Sequence, residues 1–292
     1  MNAQNLNGFE QSILNSGVDL AGFKKSAPLK TAEDIRRDWL LERIGKFTAS
    51  EFYKLVTYPK KSELPAGAIT YCTEKAAETL TEFLDDRFVS AEMQWGIDHE
   101  LEAIAAFKKK TGFKILNTGT NQKFLTLGDS IGGTPDGVIN KVSGIEVKCP
   151  NSTTHLKYLG IKNTEHLKKI CANYYWQVQG MMYITGCSHW YFISYDPRYK
   201  LKEHQLHILK IEKHQTDQEF LIERLGLAIN YRNDLLRELS PDISQIEVLA
   251  LLKISRTKLW NLRKTETFPK PVQANPLRWK LSEIESYTKK KH

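Results

Sequence analysis

Three carboxylates and one amine are the residues of this sequence whose types and spacing could do chemistry. They are Glu100 in "GIDHELEAI", Asp136 in "GTPDGV", and Glu146 and Lys148 in "GIEVKCP". Hard divalent cations such as Mg²⁺ take oxygen ligands and keep several waters, so two or three convergent carboxylates suit them. A cation held there polarises a phosphodiester oxygen and lowers the pKa of bound water, while a neighbouring lysine orients or deprotonates that water. Phosphodiester hydrolysis is the chemistry this set fits. His99 beside Glu100 does not make a zinc-protease motif, because HExxH needs a histidine at position 103 and the chain has Ala103.

The elements that must position these groups can be read from periodicity. Residues 144–149 alternate as a strand, with Ile145 and Val147 on one face and Glu146 and Lys148 on the other. That polar face is either a solvated outer surface or the wall of a cavity. Residues 92–111 read as a helix in which Met93, Ile97, Ile104 and Phe107 form an apolar stripe, and Glu100 completes its spacing. A carboxylate is therefore expected inside the apolar face, where an unpaired charge is costly and calls for a cation or hydrogen bonds. The alternative leaves Glu100 at the edge of the stripe, reaching water. Helices are also expected over 31–41, 48–56, 70–85, 165–185 and 215–239, and strands over 113–117, 122–127, 131–139, 189–195 and 203–211. Strands flanked by helices imply an α/β or α+β domain. The Ser-Pro pair at 240–241 stops the long last helix and divides the chain.

Composition narrows the function classes. A chain of 292 residues with 41% hydrophobic and 26% charged residues is an ordinary globular protein able to bury a large core. No apolar run approaches the roughly 20 residues of a membrane span, and the first residues lack the basic start and apolar stretch of a signal peptide. A cytoplasmic protein without membrane contact is expected. The four cysteines, Cys72, Cys149, Cys171 and Cys187, form no CxxC pair, which argues against zinc and disulfides and for small buried hydrophobes. The net charge of +8 is concentrated: residues 241–292 hold eleven Lys/Arg against five Asp/Glu and so carry +6 of it. The tail is the basic module, which suits an acidic partner such as nucleic acid.

"TPDGV" followed by "IEVKC" matches the PD-(D/E)xK nuclease signature. With "DWLLERIGKFTASEF", "MQWGIDHELEAIAAF", "YYWQVQGMMYITG" and "WYFISYDPR" in the right order, residues 35–215 resemble the phage lambda exonuclease family of YqaJ-type viral recombinases. The resemblance implies a restriction-endonuclease-like α/β core with a mixed central sheet flanked by helices. It implies two Mg²⁺ ions, replaceable by Mn²⁺, held by Glu100, Asp136, Glu146 and the Val147 carbonyl, with Lys148 activating the attacking water. Gln177 would position that lysine or the scissile phosphate, and its spacing to Tyr174, Met181 and Ile184 puts it on the apolar helix face, where an unpaired amide is costly. Arg43, Ser50 and Thr134 would bind a terminal 5′-phosphate; arginine is a planar, permanently charged fork suited to phosphate, while Ser50 could also serve as a helix N-cap. Met93 matches a family position that wedges the duplex open, although periodicity makes it a core residue. The implied activity is 5′-to-3′ exonuclease action on double-stranded DNA ends, releasing 5′ mononucleotides and leaving 3′ overhangs for a RecT/Bet-like single-strand annealing protein. A homotrimeric ring and a phage or prophage origin in a bacterial host are implied too. A site- or structure-specific endonuclease of the same fold and a non-catalytic DNA-binding regulator stand as alternatives.

The tail reads as a second module, 241–292 after a nuclease domain at 1–240. "SQIEVLALLKISRTKLWNLRKTETFPKPV" gives a helix with Val248, Leu251 and Leu252 inward, Ser255 as an N-cap, then a helix with Leu259 and Leu262 inward; "PLRWKLSEIESY" supplies a strand wing and closing helix. It resembles the AlpA/MerR-like winged helix-turn-helix, with Lys253 in place of the usual small turn residue. In such motifs the second helix enters the major groove, which makes Arg256, Thr257, Lys258, Asn261 and Arg263 candidate DNA contacts. The alternative is a partner-docking domain whose basic face only solvates it.

Overall fold

The structure is a computed structural model and describes residues 31–57, 63–83, 90–140 and 142–290. The N-terminal residues read for a signal peptide, and residues 84–85 of the expected 70–85 helix, lie outside them. The chain divides into two units, Met1–Asp38 and Trp39–His292. Helix α1, Ala32–Leu41, accounts for most of what is described of the first.

Two sheets frame the carboxylates. In the smaller, β1 (Phe47–Thr48) and β2 (Leu125–Leu127) flank β3 (Ile131–Gly133), β1 parallel and β2 antiparallel to it. The larger has the order β4 (Gly137–Ile139), β5 (Ser143–Lys148), β6 (His189–Tyr195), β7 (Leu206–Glu212). It is mixed: β5 and β6 run parallel and the outer pairs antiparallel. Helices α2 (Ala66–Thr81), α3 (Ala91–Thr111), α4 (Ser152–Leu159), α5 (Thr164–Ile170), α6 (Ala172–Thr185) and α7 (Gln215–Leu239) complete this α/β body.

Alternation along β5 decides which helix each side chain meets. Ile145 and Val147 pack with Ile193 and Tyr195 against Ala103, Ile104 and Phe107 of α3. On the other side Trp190, Phe192, Leu209 and Ile211 pack against Tyr175, Val178 and Met182 of α6 and Leu221 and Leu225 of α7. Each such large apolar side chain contributes roughly 2–3 kcal/mol on burial. Gly144 is required here, since a Cβ on it would lie 2.4 Å from the Trp190 ring. Glu146 shares the α6 side and is only 1% exposed, so the polar face of β5 is a cavity wall and not a solvated surface.

Several sequence expectations are corrected. The apolar stripe of α3 is buried only in its second half: Met93 is 53% and Ile97 59% exposed. A 21-residue helix runs about 31 Å, longer than six- and seven-residue strands can cover, and its first turns overhang the sheet. Met93 is therefore not a core residue. The expected 131–139 strand is two strands in different sheets, broken after Gly133 where Pro135 has no N–H to give a ladder. Residues 113–117 supply only the bridge of Leu116 to Val138. The 165–185 helix breaks at Cys171, whose φ of −137° and ψ of 61° are not helical. Residues 48–56 form the end of β1 and a 3-10 helix, Ala49–Lys54, whose N-cap position is Thr48, so Ser50 does not cap it. Strand 122–127 shortens to β2, and 203–211 starts as a 3-10 turn, Lys202–His204, before β7. Helix α4 was not expected; Asn151 caps it by accepting from Thr154 N–H at 2.8 Å.

Beyond Ser240 the chain forms β8 (Asp242–Ser244), α8 (Gln245–Leu252), α9 (Arg256–Leu262), β9 (Gln273–Ala274), β10 (Leu277–Lys280) and α10 (Leu281–Lys289). Ser244 and Glu247 make a reciprocal capping box on α8, and Ser255 caps α9. Between the helices Lys253 takes a left-handed φ of 51°, the conformation that makes a small residue usual at this turn. Ile243, Val248, Leu259, Phe268, Trp279 and Ile284 form a hydrophobic cluster of their own. Its joint to α7 is tightly bonded: Ser240 Oγ accepts from Ser282 N–H at 2.9 Å, its carbonyl from Lys280 Nζ at 2.9 Å, and the Pro241 carbonyl from Leu281 N–H at 3.0 Å. All four cysteines are buried and free. Among the described residues no helix is long and apolar enough to cross a membrane.

Candidate active site

The break at Pro135 gives the site its shape, because it lets Asp136 turn toward β5 at the point where β4 begins. Asp136 Oδ2 accepts from Val147 N–H at 2.6 Å. A strand residue presents its N–H and C=O to the same edge, so the Val147 carbonyl leaves on the Asp136 side, beyond the paired part of β4. On the neighbouring face Glu146 Oε1 meets Lys148 Nζ at 2.5 Å and accepts from Gln177 Nε2 of α6 at 2.8 Å. The Tyr174 ring lies 4.7 Å from the Lys148 ammonium. Glu100, on the overhanging part of α3, is partly buried and accepts from Gln122 Nε2 at 2.8 Å. It is neither deep in an apolar face nor simply solvated.

These groups strain one another electrostatically. Burial raises the Asp136 carboxyl well above the usual carboxylate range, and the Glu146 and Glu100 charges add to it against Lys148. Burial likewise raises Glu100, followed by repulsion from Glu146. Burial disfavours the charge on Lys148, but Glu146 and Asp136 outweigh it and raise its pKa. The second oxygen of Glu146, Oε2, is buried without a hydrogen-bond partner among the described residues, a position several kcal/mol unfavourable for a carboxylate. Among the described residues no three His, Cys, Asp or Glu side chains stand together as a ready-made cage; Lys148, Gln177, Gln122 and the Val147 N–H occupy part of their lone pairs. Crowded carboxylates with an orphaned oxygen, all oxygen donors, nevertheless fit a hard divalent cation.

A cavity of about 210 Å³ opens beside them, lined by Arg43, Ser50, Thr134, Asp136, Gln177 and Gln122 among others. Arg43 reaches it stacked 4.3 Å from the Trp39 ring and 5.3 Å from Phe124. Ser50 Oγ lies 3.4 Å from Thr48 Oγ1, and Thr134 Oγ1 is buried without a hydrogen-bond partner among the described residues. The structure thus brings Arg43, Ser50, Thr134, Asp136 and Gln177 to one cavity, with Glu146 and Lys148 adjoining. Met93 stands apart, exposed on the first turn of α3. Arg256, Thr257, Lys258, Asn261 and Arg263 are exposed in the tail, on and just after α9.

Residues 38–188, just over half of the chain, match the model of the YqaJ-like viral recombinase domain. The chain belongs to that family. The matched YqaJ-like segment contains every site residue named above except the tail group. An alkaline exonuclease (LHK-Exo) from Laribacter hongkongensis is similar in structure, at 26% identity and a TM-score of 0.58, over 69% of this chain and 95% of that one. The same figures hold for that enzyme in complex with dAMP. A phage-related exonuclease from Haemophilus somnus shares the fold at 17% identity and a TM-score of 0.55, over 67% and 96% of the two chains. No curated protein matches this chain.

Two site residues of this YqaJ-like chain are not among the sequence candidates. Gln122, bonded to Glu100, sits in a polar loop with no pattern to mark it. Tyr174, beside Lys148, had a signal: it stands one helical turn from Gln177 on the same face of α6.

Proposed function

We propose that this protein is a metal-dependent exonuclease that enters double-stranded DNA ends, degrades one strand 5′ to 3′ and leaves a 3′ overhang. The observation that carries this reading is the cavity where Arg43, Ser50 and Thr134 adjoin Asp136, with Glu146 and Lys148 beside it. An anion site next to a carboxylate cluster is what hydrolysis at a phosphorylated end needs. Membership of the YqaJ-like family and likeness to two exonucleases, one crystallised with a mononucleotide, support it.

In this reading Arg43 forks onto the terminal 5′-phosphate, with Ser50 and the unpartnered Thr134 hydroxyl as further donors. Glu100, Asp136, Glu146 and the Val147 carbonyl would hold Mg²⁺, two ions per site, with Mn²⁺ as a substitute. Bound there, the ions supply a polarised phosphoryl oxygen and an acidified water. Lys148 Nζ, kept an ammonium by the Glu146 and Asp136 charges, donates to the oxygen of the attacking water and orients it, and Gln177 Nε2 fixes the Glu146 carboxylate while lining the cavity. Exposed Met93 has the freedom a duplex wedge requires. The PD-(D/E)xK nuclease domain is residues 1–240.

Residues 241–292 act as a winged helix-turn-helix that binds duplex DNA through Arg256, Thr257, Lys258, Asn261 and Arg263. A single-strand annealing protein takes up the 3′ strand, and three copies close a ring on the DNA in the cytoplasm of a bacterial host.

Digestion of linear duplexes bearing 5′-phosphate or 5′-hydroxyl, beside closed circular DNA, with and without Mg²⁺, tests the reading. Faster release from phosphorylated ends and an intact circle are expected. Cleavage of the circle would instead favour an endonuclease. Undiminished activity of Lys148→Ala would sink the site assignment, whereas no nucleotide release by the wild type under any of these conditions would leave a DNA-binding regulator as the better description.

A further inference from the structure

The two chain segments that bear the anion-binding residues start side by side. β1 leads to Ser50, and β3 leads to Thr134 and Asp136; Phe47 is paired with Ile131, and Phe47 N–H donates to the Ser130 carbonyl at 2.9 Å. At this shared root lies a side chain from far along the sequence, Arg232 of α7, only 8% exposed. Its Nη1 donates to the Gly45 carbonyl, and its Nη2 donates to Ser130 Oγ at 2.8 Å and Asn233 Oδ1 at 2.9 Å. The guanidinium also lies 5.5 Å from the Phe47 ring centroid.

Gly45, two residues after Arg43, is gripped from the other side as well. Its N–H donates to Glu78 Oε2 of α2 at 3.0 Å. Its φ is +67°, and an added Cβ would lie 2.2 Å from Thr79 Oγ1, so the turn has one conformation and one permitted residue. Among the described residues the hydrogen-bond partners of Arg232 are all neutral, a carbonyl, a hydroxyl and an amide oxygen. A buried cation without a counter-charge is unfavourable by several kcal/mol, and burial accordingly lowers the Arg232 pKa. A neutral donor would satisfy any one of these acceptors. What a guanidinium adds is a rigid fork spanning two segments and a fixed positive charge.

We propose that Arg232 is a positioning residue for the end-phosphate pocket: it locks the Arg43–Ser50 segment to the Ser130–Asp136 segment and supplies uncompensated positive charge at their root for a DNA 5′-phosphate. The inference rests on the reading of that pocket given above. It sets Arg232 apart from the fully buried Arg224 on the same helix, which holds the Glu63 carbonyl at 2.9 Å in another part of the chain.

The test uses the full chain and linear duplexes with 5′-phosphate or 5′-hydroxyl ends, measuring kcat and KM for wild type, Arg232→Met, Arg232→Lys and Ser130→Ala. The ratio of kcat/KM between the two end types should fall about fivefold or more in Arg232→Met, mainly through KM for the phosphorylated duplex. Smaller falls are expected in Arg232→Lys, which keeps the charge, and in Ser130→Ala, which removes one acceptor. Equal losses on both end types would mean a merely structural role and overturn the proposal, as would an unchanged ratio. If Arg232→Met does not fold, the other two variants are read on the same ratio by the same criteria. A wild type that does not discriminate between ends refutes the pocket reading itself, and this inference with it; discrimination untouched by all three variants refutes this inference alone.

Discussion

Asp136 accepts a 2.6 Å hydrogen bond from the backbone N–H of Val147, so the carboxylate that precedes β4 is fixed to the strand that carries Glu146 and Lys148. The bond uses only one oxygen of Asp136 and needs only an acceptor. Position and charge are therefore separable at this residue, and the first prediction uses that.

Asp136→Asn keeps an acceptor for Val147 N–H and removes a charge that burial and Glu146 disfavour. Metal-free protein should become more stable, with a Tm rise on the order of 2–4 °C per kcal/mol gained. Mn²⁺ binding measured by calorimetry should be lost. A lower metal-free Tm with intact Mn²⁺ binding would refute the electrostatic account.

Gln122→Leu removes the 2.8 Å bond that orients Glu100. Groups that orient a metal ligand typically account for about 10–100-fold in affinity. A comparable weakening of Mn²⁺ binding is expected with little change in Tm, and unchanged affinity would show that Glu100 needs no such support.

Acid should destabilise the protein through one buried and one half-buried histidine, His155 and His207. His155 Nε2 donates to the His204 carbonyl at 2.8 Å, and Nδ1 accepts from Ser194 Oγ at 2.7 Å, which fixes the neutral ring. Burial lowers its pKa from the ordinary 6.5. Burial also lowers that of His207, and repulsion from His155 adds to this. The unfolded chain then binds more protons once the pH falls below about 6.5, so this stability is present above that pH and lost as it falls toward the folded values. Tm should drop between pH 7 and pH 5 by more in wild type than in His155→Gln. Equal drops would assign the acid sensitivity elsewhere.

Arg256 and Lys258 are exposed on the first turn of α9. If both contact phosphates, Arg256→Ala with Lys258→Ala should reduce the slope of log affinity against log salt by roughly 1.8 on duplex DNA. Release of nucleotides from saturating substrate should be unaffected. An unchanged slope would mean that the tail binds something other than DNA.

The strand from Ser143 to Lys148 and the first two helices of the tail were legible because each announces itself locally, by alternation in one case and by Ser255 and helical spacing in the other, although that spacing puts Leu251 inward and it is 43% exposed. The break at Pro135 was misread because Ile131–Gly133 and Gly137–Ile139 are both apolar and short, and nothing local says that they belong to different sheets. Met93 and Ile97 follow a core pattern but overhang the sheet, since periodicity gives a helix its face and not the length of the partner it covers. Most of the carboxylate cluster could be named from its signature. Gln122 and Arg232 could not, because their partners lie 22 and 187 residues away, at Glu100 and Gly45.

The bonded joint at Ser240 has a mechanical meaning. Seven residues, about 10 Å of helix, separate Arg232 from Leu239 at the end of α7, where Ser240 and Pro241 are clasped by Lys280, Leu281 and Ser282. The path from tail to Gly45 is therefore continuous: the clasped Ser240, two turns of unbroken helix and one guanidinium, with no loop between them.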